Sequence, residues 1–177
     1  TFMRWIRFAW VGVIIGMLMM CNAGETTQKK DGIPKGLFKG KKRIVPGAYR
    51  TSAYLPVIKA RRVGVLVNHT SRIEGTHLID TLLKEQVSIR KIFTPEHGFE
   101  GTADAGEEVG NSMYKDTDIP VISLFGKQKK PTPQQMEGLD ILLYDIQDVG
   151  VRFYTYISTM HYAMEACAEN GVKFIIL

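Results

Sequence analysis

Five short apolar runs after residue 62 restrict the fold of this chain more than any other feature. They occupy residues 63–67, 89–93, 120–124, 141–144 and 174–177. Short runs rich in Val, Ile and Leu are typical of central strands that are buried on both faces of a sheet. Helix signals separate several of these runs, and strands that alternate with helices form a parallel sheet. The sequence therefore predicts an α/β fold, with a Rossmann-like, mostly parallel sheet and helices on both faces.

The predicted helices are recognised from capping residues and apolar periodicity. They cover residues 51–60, residues 77–84, a short segment that begins at Pro133, and residues 153–170. Thr76 and Thr132 are the predicted N-caps of the second and third helices, and Gly171 is the predicted end of the last. An apolar stripe at helical spacing predicts which face of the last helix packs on the sheet. The stripe consists of Phe153, Ile157, Met160, Met164 and Cys167.

The first 45 residues predict export and a linker. Arg4 and Arg7 precede an apolar run at 8–20, which is shorter than a membrane span and fits a signal peptide over residues 1–24. Cys21 follows this run as in a lipoprotein signal, so that lipidation would anchor the protein to a membrane. Cleavage near residues 22–24 and an uncleaved anchor helix remain alternatives. Residues 25–45 are polar and aperiodic, which predicts a linker, and we expect an exported protein of the periplasm or cell envelope.

Residues 46–177 are the predicted folded domain. Because a complete domain of this class does not usually stop on an apolar strand, we expect it to lack a C-terminal portion. The net charge of +5 arises largely from basic residues before residue 63, without a basic stripe with interleaved aromatics, which argues against nucleic-acid binding. No G-x-G-x-x-G or P-loop motif supports a nucleotide cofactor. Two cysteines and the spacing of His69 and His77 give no metal site, so neither a cofactor nor a metal is predicted.

Polar side chains follow three of the predicted strands. Ligands of open α/β sheets bind at the carboxyl ends of the strands, so we expect these groups to line one cleft. The groups are Asn68 and His69, then Glu96 and His97, then Asp145, Gln147, Asp148 and Arg152. No single residue among them is convincing alone; their predicted convergence is the physical argument for a site.

Glu96 is the first candidate for a catalytic carboxylate, since a Glu beside a His can perform acid–base work when its surroundings tune it. His97 could orient Glu96 or bind substrate. A hydrogen-bond acceptor that stabilises a loop and a structural histidine are the alternatives for these two residues. Asp145 and Asp148 could bind sugar hydroxyls or supply a second carboxylate, or could instead form a salt bridge with Arg152.

Arg152 could otherwise bind a substrate carboxylate through its planar guanidinium. Tyr154 could stack on a sugar or fill the start of the helix.

Several longer segments resemble the N-terminal domain of the bacterial exo-β-N-acetylmuramidase family, long known only as a domain of unknown function. They are VGVLVNHT at 63–70, PEHGF at 95–99, DAGE at 104–107, PTP at 131–133 and DIQDVGVRFYTY at 145–156. The similarity extends from about residue 46 to residue 177, and the last segment is long enough to be specific.

The resemblance implies a Rossmann-like catalytic domain that precedes a smaller C-terminal domain. It also implies release of N-acetylmuramic acid from the non-reducing ends of peptidoglycan fragments in cell-wall turnover. Carried over to this sequence, Glu96 is the proposed catalytic group and His97 lies beside it. The substrate-binding residues implied in the same cleft are Asp145, Gln147, Asp148, Arg152 and Tyr154. A cell-envelope lipoprotein that binds peptidoglycan without turnover is the alternative function.

Overall fold

A computed structural model of the chain describes residues 44–96, 98 and 112–177. The predicted signal peptide and nearly all of the predicted linker lie outside the described residues. His97 and the DAGE segment at 104–107 lie outside them as well. Among the described residues, no helix has the length and apolar character needed to span a membrane.

Among the residues that the structure describes, six of the eight strands form one sheet, in the order β5-β6-β4-β1-β7-β8. Their bounds are β1 Val63–Val67, β4 Ile89–Thr94, β5 Ser112–Met113, β6 Pro120–Ser123, β7 Ile141–Asp145 and β8 Lys173–Ile176. The four central pairings are parallel, and only β5 runs antiparallel to its neighbour. The remaining strands, β2 Arg72–Ile73 and β3 Thr76–His77, form a separate hairpin. The prediction of a mostly parallel α/β sheet is confirmed.

The register of the three central strands brings their carboxyl ends to the same edge. Leu66 of β1 pairs with Phe93 of β4 on one side and with Tyr144 of β7 on the other. The segments that begin at Asn68 and Pro95 therefore leave the sheet side by side, next to Asp145. Ser71 reinforces this edge, because its hydroxyl accepts a hydrogen bond from the Asn68 N–H and donates one to the Asp145 carbonyl.

In the described ranges, four α-helices cover the two faces of the sheet. They are α1 Thr51–Ile58, α2 Leu78–Lys84, α3 Pro133–Met136 and α4 Tyr156–Glu169, and a 3-10 turn at Gly47–Tyr49 precedes them. α1 and α2 pack on the face formed by Val63, Val65 and Val67 of β1. α3 and α4 pack on the opposite face, which includes Leu66 and Leu142. Side chains alternate between the faces along each strand, so every central strand contributes to both cores.

Close packing explains why a glycine occupies position 64 in the VGVLV segment. A Cβ built on Gly64 would lie 2.8 Å from Leu139 Cδ1 and 3.3 Å from Phe93 Cε2. Gly64 therefore leaves room first for the Leu139 side chain, and then for the Phe93 ring, on the face that α3 and α4 cover.

Two capping predictions have different outcomes. Thr132 does cap α3, in a capping box where its hydroxyl accepts from the Gln135 N–H and the Gln135 side chain accepts from the Thr132 N–H. The prediction that Thr76 caps α2 is wrong, since His77 is the N-cap and its Nδ1 accepts from the Ile79 N–H. His77 also contacts the Asn68 carbonyl through Nε2 at 2.9 Å, so a buried imidazole replaces the expected hydroxyl.

The predicted apolar stripe of the last helix is wrong for Phe153, Ile157 and Met164, whereas Cys167 is buried and Met160 packs against the core. Phe153 precedes α4 and is 85% exposed, and Ile157 and Met164 are 57% and 45% exposed. The residues of α4 that face the sheet are Tyr156, Thr159, Ala163, Ala166 and Cys167. Small side chains on this face let the helix lie close to the sheet. The predicted end at Gly171 is confirmed by its φ of 64° directly after the C-cap Asn170.

Candidate functional site

Glu96 leaves the carboxyl end of β4 and is held by the residue that starts α4. The Thr155 hydroxyl donates a hydrogen bond to Glu96 Oε2 at 2.8 Å. Thr155 occupies the N-cap position, but its side chain makes no capping bond to the helix backbone. Its hydroxyl is therefore committed to the carboxylate, while Glu96 Oε1 makes no hydrogen bond to any residue that the structure describes.

A cavity of about 140 Å³ adjoins this carboxylate. The Glu96 cavity, as we name it, lies between the ends of β4 and β6 and the first turns of α4. It is lined by Glu96, Leu124, Phe125, Lys129, Thr155, Ser158, Thr159 and Tyr162. Engineered apolar cavities of about 150 Å³ bind benzene, so this volume accepts a group of the size of one ring. The lining combines apolar side chains with a few hydroxyl and charged groups, as binding pockets for small molecules do.

Asn68 and two tyrosines lie on the α4 side of the same sheet edge. Asn68 is 1% exposed, and its Oδ1 accepts hydrogen bonds from the backbone N–H and the hydroxyl of Thr70. Burial raises the pKa of the Tyr156 phenol; its interaction with Asn68 opposes that rise, and the charge of Glu96 adds to it. Asn68 Nδ2 is buried and has no hydrogen-bond partner among the described residues. The contact between Asn68 and Tyr156 therefore lacks the geometry of a full hydrogen bond. The Tyr154 ring meets the Tyr156 ring edge-on at 4.8 Å.

Asp145 lies on the other side of the sheet edge. Ile141 and Leu143 of the same strand pack in the core beneath α1 and α2, and side-chain alternation directs Asp145 to that side. It lines a second cavity of about 400 Å³ together with the 3-10 turn, Thr70, Arg72 and Gln147. Burial raises the pKa of Asp145 to about 6. Its charge in turn contributes, after burial, to raising the pKa of Tyr54 in α1 to about 12.

In the part of the chain that the structure describes, the groups expected to share one cleft divide between two cavities on either side of one sheet edge. Of the predicted residues, Glu96, Asn68 and Tyr154 are grouped on the α4 side, whereas Asp145 and Gln147 line the second cavity. Three others are exposed and line neither cavity: His69, Asp148 and Arg152. His97 lies outside the described residues. Successive side chains of β7 point to opposite faces of the sheet, so Tyr144 points toward α4 and Asp145 points away from it. This alternation separates Asp145 from Glu96.

The predicted alternative of a salt bridge between Arg152 and Asp145 or Asp148 is not observed among the described residues. Asp148 instead accepts a hydrogen bond from the Gly150 N–H at 2.7 Å. In the ranges that the structure describes, no three His, Cys, Asp or Glu side chains are placed to hold a metal ion.

Thr155 and Lys129, which line the Glu96 cavity, were not among the predicted site residues. Thr155 lies inside the DIQDVGVRFYTY segment, beside the predicted residue Tyr154. Lys129 lies in the loop between β6 and α3, for which no role was predicted. Apart from its place in that segment, Thr155 carries no signal of its own, and neither does Lys129.

Replacing Asp145 by Asn is expected to change how stability depends on pH. The pKa of Asp145 is about 6 in the folded protein and lower in the unfolded chain, so folded molecules bind more protons between pH 4 and pH 6. The contribution of Asp145 to the free energy of unfolding therefore falls as the pH rises from 4 to 6. After allowance for partial exposure, we expect the free energy of unfolding of the wild type to fall by about 2 kcal/mol between pH 4 and pH 7 because of Asp145. In Asp145→Asn this fall should be absent.

Urea unfolding of the wild type and the variant at pH 4, 5.5 and 7 measures this difference. Asp148→Asn is the matched control, because Asp148 is exposed and should keep the wild-type dependence. Parallel stability curves for the wild type and Asp145→Asn would show that Asp145 is not desolvated.

Comparison with known proteins places the chain in a family. Residues 63–177 match the family model described as exo-beta-N-acetylmuramidase NamZ, N-terminal. The chain is 46% identical over 133 residues to the peptidoglycan beta-N-acetylmuramidase NamZ of Bacillus subtilis (strain 168), covering 70% of this chain and 30% of that protein.

Two solved structures of DUF1343 family proteins from Bacteroides fragilis NCTC 9343 are also similar. The first has a TM-score of 0.65 and 40% identity, over 77% of this chain and 35% of that one. The second has a TM-score of 0.64 and 39% identity, over 72% and 32%. The chain thus spans about a third of the length of these relatives. The family match, the sequence identity and the shared fold agree, and this chain belongs to the exo-β-N-acetylmuramidase NamZ family through its N-terminal domain.

Proposed function

We propose that this protein is an exo-β-N-acetylmuramidase that releases N-acetylmuramic acid from the non-reducing ends of peptidoglycan fragments. The observation that carries the proposal is the Glu96 carboxylate, fixed by Thr155 beside a cavity that accepts one ring-sized group. The name of the Bacillus subtilis relative supports the choice of reaction and of polymer.

In this proposal Glu96 acts on the glycosidic bond. Thr155 holds Oε2, which leaves Oε1 to meet the substrate. Glycoside hydrolases ordinarily use two carboxylates, and Glu96 is the only carboxylate that lines its cavity among the described residues. Asp145 is the candidate for the second group, since burial keeps it protonated to a higher pH than an ordinary Asp. Its place on the other side of the sheet edge requires the substrate to cross that edge.

The site of action that we propose is the cell envelope. The basic and apolar pattern of residues 1–24 supports export, and Cys21 supports lipid attachment. Mass spectrometry of the mature protein, with and without globomycin treatment of the cells, tests this part. A cleaved mature N-terminus without acyl chains would support export and would contradict the proposed lipid anchor.

The hydrolase proposal is tested with a chromogenic N-acetylmuramide and the full-length protein. We expect release of the chromophore together with free N-acetylmuramic acid, identified by mass spectrometry. Binding of muropeptides without any product over long incubation would refute the hydrolase and support a non-catalytic peptidoglycan-binding protein.

Thr155→Val is expected to lower kcat by about 10-fold or more, with little change in KM. A hydrogen bond to a charged group contributes about 1.5–3 kcal/mol, and its loss lets the carboxylate leave its reactive position. The helix should tolerate the change, because Thr155 makes no side-chain cap bond. Thr155→Ser keeps the hydroxyl and should retain most of the activity in steady-state kinetics. Equal losses in the Val and Ser variants would show that Thr155 does not act through its hydrogen bond.

A further inference from the structure

Lys129 is a cation of the Glu96 cavity with no partner in the described part of the chain. It lies in the loop between β6 and α3 and lines the cavity together with Glu96 and Tyr162. None of the ion pairs and hydrogen bonds found among the described residues involves its ammonium group. The adjacent Lys130 differs, because it pairs with Glu165 at 3.4 Å and with Glu169 at 2.6 Å.

This difference between two neighbouring lysines suggests a ligand for one of them. Lys130 anchors the loop to α4, and that anchor holds the backbone from which Lys129 projects. An ammonium group beside a partly enclosed cavity attracts an anion more strongly than one in open solvent does. Among the described residues, Glu96 is the only acidic side chain that lines the cavity, and it forms no ion pair with Lys129. Within that part of the chain, the Lys129 ammonium is therefore available to an incoming anion.

We propose that Lys129 binds the lactyl carboxylate of the terminal sugar and so selects N-acetylmuramic acid over neutral N-acetylhexosamines. This inference rests on the proposed function and assigns its substrate specificity to one side chain. The two sugars differ by the lactyl ether, which carries the only negative charge. The predicted alternative, Arg152, lines neither cavity, whereas Lys129 lines the Glu96 cavity, so Arg152 is less well placed for this contact.

The test compares two substrates in the full-length protein. One is a chromogenic N-acetylmuramide, and the other is the same compound with its lactyl carboxylate converted to an amide. We expect Lys129→Met to lower kcat/KM for the charged substrate about 10- to 100-fold, mainly through KM, and to leave the amide substrate nearly unchanged. Lys129→Arg keeps the charge and should recover much of the selectivity. Lys127→Met is the matched control, which removes a charge from the same loop at an exposed side chain that does not line the cavity and should not alter the ratio between substrates.

A loss of equal size on both substrates, or no loss on either, would overturn the role of Lys129. Calorimetric titration with free N-acetylmuramic acid and free N-acetylglucosamine measures the same selectivity without turnover. A wild-type protein that hydrolyses neither substrate would refute the proposed function. The titration would still decide on Lys129, because selective binding that is lost in Lys129→Met supports the contact and unselective binding contradicts it.

Discussion

Glu96→Gln is expected to lower kcat for the release of N-acetylmuramic acid by on the order of 10²–10⁴-fold, with KM changed only a few-fold. Glutamine has nearly the same shape and can still accept the hydrogen bond from Thr155, so the local geometry should persist. What the variant loses is the ability to exchange a proton or carry a negative charge at the glycosidic bond. The measurement is steady-state hydrolysis of a chromogenic N-acetylmuramide over a range of pH.

Glu85→Gln provides the matched control for this change. Glu85 caps the C-terminal end of α2 and pairs with Lys59 on the surface, away from the Glu96 cavity. Circular dichroism and urea unfolding should show both variants folded, with kcat preserved in Glu85→Gln only. Full activity in Glu96→Gln would remove Glu96 from the chemistry and, with it, the observation that carries the proposed function.

The sheet was predictable from sequence because burial on both faces leaves a continuous apolar run, which is a strong local signal. All five predicted strands are present, with ends that differ by at most one residue. The strands that were missed are β2, β3 and β5, each of two residues. A pair of residues cannot display a period, and the backbone pairing that makes them strands depends on neighbours distant in the sequence.

The face of α4 was not predictable from apolar periodicity. Two faces of this helix have helical spacing: one with large apolar residues such as Ile157 and Met164, and one with Thr159, Ala163 and Ala166. A hydrophobicity pattern favours the first. The structure buries the second, because close packing against the sheet depends on the size of a side chain as well as its polarity.

The edge of the sheet that holds the candidate site could also be predicted, because the ends of parallel strands lie together. The side of that edge on which each polar group lies could not be predicted. Whether Asp145 turns toward Glu96 depends on the register of β7 in the sheet, and a shift of one residue would reverse it. Lys129 and Thr155 belong to segments that approach the cavity only in the folded chain, so neither has a motif of its own.

One core residue lies close in the sequence to Glu96 and is suited to a test of stability. Phe93 is fully buried in β4, three positions before Glu96, and its ring occupies the space that Gly64 leaves open. Its loss would leave a cavity between the sheet and the helices α3 and α4. The surroundings of Phe93 are β-strands fixed by parallel pairing on both sides, so they have little freedom to collapse into that space.

Phe93→Ala is therefore expected to destabilise the protein by about 3–5 kcal/mol, the cost of burying less apolar surface and leaving a cavity. Urea unfolding measures the effect. Phe153→Ala is the matched control: the same atoms are removed from a side chain that is 85% exposed, and the change should stay within about 0.5 kcal/mol. If Phe153→Ala proved the more destabilising of the two, the apolar stripe suggested by the sequence would be the buried face after all. Similar small effects in both variants would instead show that β4 is not at the centre of the core.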